Sequence, residues 1–316
     1  MTPPVLVLGV SRSGTTLLRV ILDRSPGIAI PDESFFVPLL ARRHGCTVDA
    51  ARFLDDVARI PTIRAWGVGP EDVAPRVRQG MPTRDAIAAI FEAYADRAEK
   101  PRWGDKTPMY MRHLPLLERL FPDAQYVHLV RDGRDAALSF LEMPEGTFTR
   151  TWAHPTTPAQ FACLWQKEVS DAHALGQRVG SGRYLLVRYE ELVADPGGGV
   201  SAICEFVGIP FEHGMLAYTG SVDVSEKPHQ QRLLRPPTTG VRSWREDMAA
   251  ADVAAFENVA GALLHELGYD VTSPQRTLRA SVTRLSYDVR LAAWNATASV
   301  IQRSPVWRRR HPRLSA

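Results

Sequence analysis

Cysteine is scarce in this chain of 316 residues. Cys46, Cys163 and Cys204 are far apart and form no C-x-x-C pair, so no disulfide framework is expected and the thiols read as free ones in a reducing cytoplasm. Long apolar runs are missing too: none approaches 18 residues. Met1-Thr2-Pro3-Pro4 leads into a strand-like segment, not into the basic and apolar regions of a secretory leader. The expectation is a soluble, cytoplasmic protein. The nine histidines form neither H-E-x-x-H nor a Cys/His cluster, which predicts no metal site. There is no internal repeat, and the Pro/Thr-rich stretches at 154–158 and 236–239 punctuate loops and do not link domains. What is present, 45% hydrophobic and 23% charged residues, is ordinary for a globular protein.

Acid is nearly absent from one end. Residues 275–316 hold nine Arg and one acid, Asp288, a local charge of +8, whereas residues 1–274 carry 29 basic and 34 acidic groups. Within this tail Leu278, Val282, Leu285 and Val289, then Trp294 and Val300, recur at roughly helical spacing between Arg279, Arg284 and Arg290, and Arg308-Arg309-Arg310-His311 follow. Such a segment suits a peripheral contact with anionic lipid or an acidic partner, or it docks on the rest of the protein. No basic patch with interleaved aromatics accompanies it, so nucleic acid is not expected. The sequon Asn295-Ala296-Thr297 is a pattern only, with no consequence in a cytoplasm.

Strand-like and helix-like segments alternate, which predicts a parallel sheet. A strand at 5–10 is followed by a helix to about Asp23. Residues 36–98 read as helical, with Ala86, Ile87, Ile90, Phe91 and Tyr94 marking the clearest apolar stripe. WGDKTP at 103–108 leads into a helix at 109–120. A strand at 125–130 precedes a helix at 133–141, and a long helix at 159–179 precedes a strand at 183–188. After Asp195-Pro196-Gly197-Gly198-Gly199 come another helix, a polar loop at about 218–240 and a helix near 252–267. The predicted fold is α/β: a P-loop-like, doubly wound parallel sheet of about four to five strands flanked by helices, with a helical insertion (about 36–100) over the active site. Residues 1–272 read as the catalytic domain and 273–316 as a basic, helical tail.

Two motifs carry chemistry. In VLVLGVSRSGTTLL (5–18) the frame Gly9-x-x-x-x-Gly14-Thr15-Thr16 copies the phosphate loop of triphosphatases, except that Thr15 replaces the lysine that reaches the β/γ-phosphates. Arg12 supplies a positive charge two residues before Gly14. Backbone N–H groups, hydroxyls and a helix N-terminus still face an anion there, so a nucleotide 5′-phosphate with a sulfuryl terminus fits better than a triphosphate. The alternative is a small-residue turn for close packing. In VHLVRDGRDAALSF (127–140) Arg131 leaves a strand and Ser139 lies two turns into the next helix, so both can face one phosphate on a ribose. An ordinary surface turn followed by an ordinary helical Ser is equally compatible.

RSGTTLL, WGDKTP, VRDGRDAALSF and RYEELVADP, in this order, resemble the sulfotransferase family that uses 3′-phosphoadenosine 5′-phosphosulfate (PAPS), over most of residues 3–270. GVSRSGTTLLRVILDRSPG followed by DES is more similar to the tyrosylprotein branch and related bacterial enzymes than to the cytosolic branch, whose loop has Lys at the position of Arg12. The resemblance implies that Arg12, Ser13, Gly14, Thr15, Thr16 and Leu17 bind the 5′-phosphosulfate, that Arg131 and Ser139 bind the 3′-phosphate, and that Tyr189 contacts the nucleotide. The product would be 3′,5′-bisphosphoadenosine, formed without a metal. Glu33 matches the catalytic base, with Asp32 as the fallback. A helix-start role for Glu33 is the alternative. Lys106 matches the lysine that steadies the bridging oxygen; a surface Lys paired with Asp105 is its alternative.

Departures from the branch bear on the acceptor. Where tyrosylprotein enzymes have a substrate-reading Thr-Arg after the catalytic Glu, this chain has Ser34-Phe35-Phe36, and neither membrane anchor nor structural disulfides are visible. Phe35, Phe36, Trp66, Met109, Tyr110 and Trp152 are candidates to line an apolar cleft, most of them equally suited to the core. The expected acceptor is therefore a hydroxyl on a small molecule, lipid or glycan. Arg235, Gly240 and Arg242 are candidates to close over the nucleotide, with Ser225 and His229 as supporting groups. A second copy of the chain is a further possible partner. A nucleotide kinase, disfavoured by the missing lysine, and an inert nucleotide-binding protein are the competing functions.

Overall fold

The computed structural model describes residues 2–143, 154–219, 243–272 and 278–304. Trp152, Ser225, His229, Arg235, Gly240, Arg242 and the Arg308–His311 run lie outside them, as does most of the expected polar loop.

Four strands, β1 (Val5–Leu8), β2 (Gly104–Asp105), β3 (Gln125–Val130) and β4 (Tyr184–Arg188), form one parallel sheet in the order β2-β1-β3-β4. The register pairs Val5 with both Gly104 and Gln125, and Val130 with Arg188. β1 is buried along its whole length and β3 along nearly all of it, as parallel strands covered on two faces must be. Side chains alternate between the faces. Val5, Val7, Val127 and Leu129 join one core layer; Leu6, Leu8, Tyr126 and Val130 join the other.

From β1 the chain enters α1 (Thr15–Asp23) and then an insertion of α2 (Val37–His44), α3 (Ala50–Arg59), α4 (Pro61–Ala65), α5 (Pro70–Val73) and α6 (Thr83–Arg97). Phe53 of α3 and Phe91 of α6 share the core layer of Leu6 and Leu8, and Phe91 stacks on Trp103 at 4.5 Å between ring centroids. The insertion is thus packed into the body of the sheet. The single helix expected at 109–120 is broken into a 3-10 turn, Pro108–Arg112, and α7 (Leu114–Leu120). Pro108 and Pro115 each lack an N–H and restart the chain at a first turn.

β3 runs into α8 (Gly133–Leu141), and α9 (Pro158–Val179) starts at Thr157, whose side chain accepts from the Gln160 N–H, with Pro158 in the first turn. After β4 come α10 (Tyr189–Ala194) and α11 (Pro196–Val207). Gly197, Gly198 and Gly199 lie inside the first turn of α11, which the Asp195 cap and Pro196 hold helical. A Cβ on Gly199 would meet Leu192 at 2.8 Å, so these small residues let α11 approach α10. The chain continues through α12 (Trp244–Asp247), α13 (Ala250–Glu266) and α14 (Leu278–Arg303).

The chain leaves β1 towards β2 on one side and returns to β3 on the other, so the strand order reverses between β1 and β3. α1 covers one face and α8 the other. The loops at the carboxyl ends of β1 and β3 therefore diverge and open a crevice, the usual ligand site of such sheets.

Beside this crevice Arg134 is fully buried. It donates to Asp132 at 2.7 and 3.0 Å and to Glu257 at 2.5 Å, with its guanidinium 3.7 Å from the ring centre of Trp244. The cluster ties α8, α12 and α13 together. Arg134→Ala leaves two carboxylates buried without their cation, and the expected loss is about 3–5 kcal/mol of unfolding free energy, to be read from urea denaturation midpoints at unchanged slope.

Candidate active site

The loop from β1 to α1 is strained where it faces the crevice. Arg12 has φ 75, in the left-handed region that non-glycine residues avoid. Gly14 has φ 91, and a Cβ there would lie 2.5 Å from the ring of Tyr189, so only glycine fits. Gly9 is pressed against β3, since its Cβ would meet the Leu129 carbonyl at 2.7 Å. α1 begins with no side-chain cap and no acid in its first turn, which leaves its N-terminal N–H groups directed at the loop.

The second motif meets the first across this loop. Arg12 Nε donates to Ser139 Oγ at 3.0 Å, although the two residues are 127 apart in sequence. Arg131 Nη1 reaches the Arg12 carbonyl at 3.4 Å, and its guanidinium sits 4.9 Å from the ring centre of Tyr189. Ser13 Oγ and Arg131 Nε are buried without hydrogen-bond partners. A buried unpaired donor is costly. Two of them beside an uncapped helix N-terminus fit an oxyanion ligand. Thr15 is buried, and Leu17 points into the core layer under the sheet, so Leu17 has only its backbone to offer a ligand.

The third segment brings Lys106 to the N-terminus of α1. Its ammonium is almost completely buried, donating to Glu33 Oε1 at 2.6 Å and to Thr16 Oγ1 at 3.1 Å. The surface pairing of Lys106 with Asp105 is not observed. Asp32 is turned away: it pairs with Arg19 at 3.3 Å, whereas Glu33 stays partly open to solvent at 29% side-chain exposure.

Beneath Glu33 lies a buried polar network that no sequence motif announced. The Ser34 N–H donates to Thr107 Oγ1 at 2.9 Å, Ser34 Oγ and Tyr110 OH are 2.7 Å apart, and the Val37 N–H donates to Tyr110 OH at 3.0 Å. Thr107 Oγ1 donates to Asp105 Oδ1 at 3.2 Å. These bonds hold Phe35 at φ 56 and so orient the residue before Ser34. Of the aromatic residues expected to line an acceptor cleft, Phe36 and Tyr110 are core, and Trp66 packs on Phe36 and Phe91 at 5.4 and 5.6 Å. Phe35 stays partly exposed, and Met109 is exposed. Beyond the carboxyl ends of β3 and β4, Asp132, Asp135, Arg188, Glu190, Trp244 and Tyr269 line an open pocket of about 270 Å³. Among the described residues no group of three or more His, Cys, Asp or Glu could hold a metal ion.

The model of the sulfotransferase family matches residues 3–213. The chain belongs to the sulfotransferase family. It is therefore a transferase of the PAPS-dependent kind. It is similar to protein-tyrosine sulfotransferase A of Caenorhabditis elegans, 27% identical with 85% of this chain and 68% of that protein covered. It is also similar to nodulation protein NoeE of Sinorhizobium fredii, 26% identical with 84% and 65% covered. Among solved structures, the sulfotransferase domain of the Synechococcus PCC 7002 olefin synthase superposes with a TM-score of 0.61 at 27% identity, covering 85% of this chain and 96% of that one. The sulfotransferase domain from the curacin biosynthetic pathway shares the fold, with a TM-score of 0.60 at 18% identity and 86% and 99% covered.

Burial pushes Asp105 up from 3.8 to about 7, against the opposing pull of the Ser34 and Thr107 hydrogen bonds and of Lys106. Its ionisation is harder in the folded state than in the unfolded one. The stability it contributes is therefore full below the unfolded value and is lost as pH rises through the folded one. Asp105→Asn, which keeps an acceptor but cannot ionise, should gain thermal stability relative to the unsubstituted protein as pH is raised from about 5 to about 8. A melting-temperature difference independent of pH would show that Asp105 does not titrate in this range.

Proposed function

We propose that this sulfotransferase moves a sulfuryl group from PAPS to a hydroxyl of a small-molecule, lipid or glycan acceptor by in-line transfer, with Glu33 as the base. The observation that carries the reading is the meeting of Lys106 with Glu33 and Thr16, at 2.6 and 3.1 Å, at the N-terminal end of the same helix that opens the anion loop. An inert nucleotide-binding protein has no use for a carboxylate pressed against a buried ammonium there. A kinase-like triphosphate enzyme needs a lysine where this chain has Thr15.

Arg12, Ser13, Gly14, Thr15, Thr16 and the backbone of Leu17 would hold the 5′-phosphosulfate. Arg131 and Ser139 would hold the 3′-phosphate, with Tyr189 against the nucleotide. Bound PAPS supplies the sulfuryl group and a phosphate leaving group. Lys106 holds a positive charge beside Thr16, where negative charge on a departing phosphate oxygen would develop. Glu33 is partly open to solvent and has one oxygen on Lys106, so it can accept the proton of an incoming hydroxyl. As in phosphoryl transfer, positioning and charge stabilisation supply most of the rate.

The three residues that follow Glu33, Ser34-Phe35-Phe36, supply no cation to an acceptor. Ser34 is committed to Thr107 and Tyr110, Phe36 is in the core, and the partly exposed Phe35 and exposed Met109 offer an apolar surface, while Asp32, also exposed, is paired with Arg19. That surface supports an uncharged or lipid-like acceptor over an acidic peptide.

Calorimetric titration with 3′,5′-bisphosphoadenosine, beside ATP and AMP, tests the donor. Binding should require the 3′-phosphate and weaken by about 1.5–3 kcal/mol in Arg131→Ala, the worth of a hydrogen bond to a charged group. Equal binding of ATP would overturn the reading. With a turnover assay, Glu33→Gln should lower kcat by about 10²–10⁴-fold while leaving bisphosphate affinity unchanged or tighter, since a negative charge has been removed. Lys106→Ala should lower kcat by about 10²–10³-fold. If Asp32→Asn, and not Glu33→Gln, abolished turnover, the base assignment would pass to Asp32.

A further inference from the structure

α14 is apolar on two opposite sides. Tyr287 and Leu291, buried at 2% and 8% exposure, seat one side on the core beside α9 and α13. Leu278, Val282, Leu285 and Val289 recur at intervals of four, three and four residues on the other side, and they are 88, 66, 66 and 60% exposed. At 100° per residue the two sets lie about 180° apart. A helix that packed on the body alone would carry polar residues on its outer side. Here that side holds four of the six large hydrophobic residues that stand exposed among the described residues.

Charge selects the occupant. The segment 275–316 carries nine Arg and a single acid, and that acid, Asp288, pairs with Arg284 at 3.9 Å. A second copy of α14 laid against the stripe would bring two such arginine-rich segments together, each with Asp288 as its one acid. The rest of the chain is net acidic, so the positive charge is concentrated at this end. At 100° per residue Arg290 and Arg284 lie about 110° and 130° from the centre of the stripe, one on each flank, where long side chains can extend toward headgroups beside it. Apolar side chains projecting from a helix whose flanks are cationic match the boundary between acyl chains and anionic headgroups. No helix among the described residues is long and apolar enough to cross a membrane.

We propose that α14 is a membrane-surface element: its core side fastens it to the protein through Tyr287 and Leu291, and its outer side, Leu278, Val282, Leu285 and Val289, beds into a bilayer rich in anionic lipid. The contact needs both parts, apolar insertion for depth and arginine for attraction.

Co-sedimentation of the purified full chain with phosphatidylglycerol–phosphatidylcholine vesicles, against phosphatidylcholine alone, tests this. The expected result is binding to the anionic vesicles that weakens with added salt. It should fall at least about tenfold in Leu285→Asp/Val289→Asp. Both positions are exposed, and circular dichroism should show the variant folded as the parent. Failure of the full chain to bind anionic vesicles at low salt would overturn the proposal, and so would equal binding by the folded variant. A dimer in light scattering that the double substitution converts to a monomer would overturn it in favour of a second copy.

Discussion

The burial of one ammonium group organises this molecule. Lys106 is 1% exposed and stands at the positive end of α1, where a cation is electrostatically out of place. Glu33 and Thr16 take up two of its donors. Burying a charge in this way requires close and well-oriented partners, and the surrounding structure is shaped to provide them. β2 is only two residues long and ends immediately before Lys106. It lies so close to β1 that a Cβ on Gly104 would meet the Val5 carbonyl at 2.7 Å. That tight pairing delivers Lys106 to the end of the sheet at which α1 begins.

Glu33 is held from the other direction. Ser34 is bonded to Thr107 and Tyr110, both just downstream of Lys106, so the carboxylate and the ammonium are positioned by one connected set of buried groups. Phe35 is forced into a left-handed backbone conformation, and the hydrogen bonds on either side of it sustain that strain. The helical insertion has a part in this as well. Thr62 Oγ1 of α4 donates to the Ser34 carbonyl at 3.1 Å, and Phe36 packs on Phe91 of α6. The insertion thus braces the segment that carries Glu33.

Across the crevice the logic is that of an anion cradle. Arg12, Arg131, the uncapped α1 terminus and Lys106 place positive potential on one small region, with Glu33 on Lys106 and Asp135 at 4.0 Å from Arg131 as acids in contact with it. Separate elements supply these charges: the β1–α1 loop, the end of β3 and the turn after β2. The point where the strand order reverses is the place at which loops from β1 and β3 can face one ligand. Arg134, locked to Asp132 and Glu257, anchors α12 beside this crevice, immediately after the segment outside the described residues.

Local pattern determined much of this. Strands β1, β3 and β4, the helix after the glycine loop, α8 over 133–141 and the long α9 followed from buried runs, helical periodicity and caps, because each depends on neighbours within a few residues, whereas the two-residue β2 carries no such run. Arg12, Gly14, Arg131 and Ser139 could be singled out because their motifs follow strands, and Glu33 and Lys106 through the resemblance of their segments to the family. Other features were beyond reach of the sequence. The split of 109–120 and the helical start at Pro196 depended on proline and capping geometry that periodicity does not register. The choice between Asp32 and Glu33 as the partner of Lys106, the Ser34–Thr107–Tyr110 network and the core placement of Phe36 depended on contacts between segments some 70 residues apart. Sequence by itself determined which elements form and which residue types stand at their ends, since those follow from local sterics and burial. The tertiary structure alone decided which of those residues meet, because only the packing of β2 against β1 and of the insertion over the sheet brings Lys106, Glu33 and Thr16 within bonding distance.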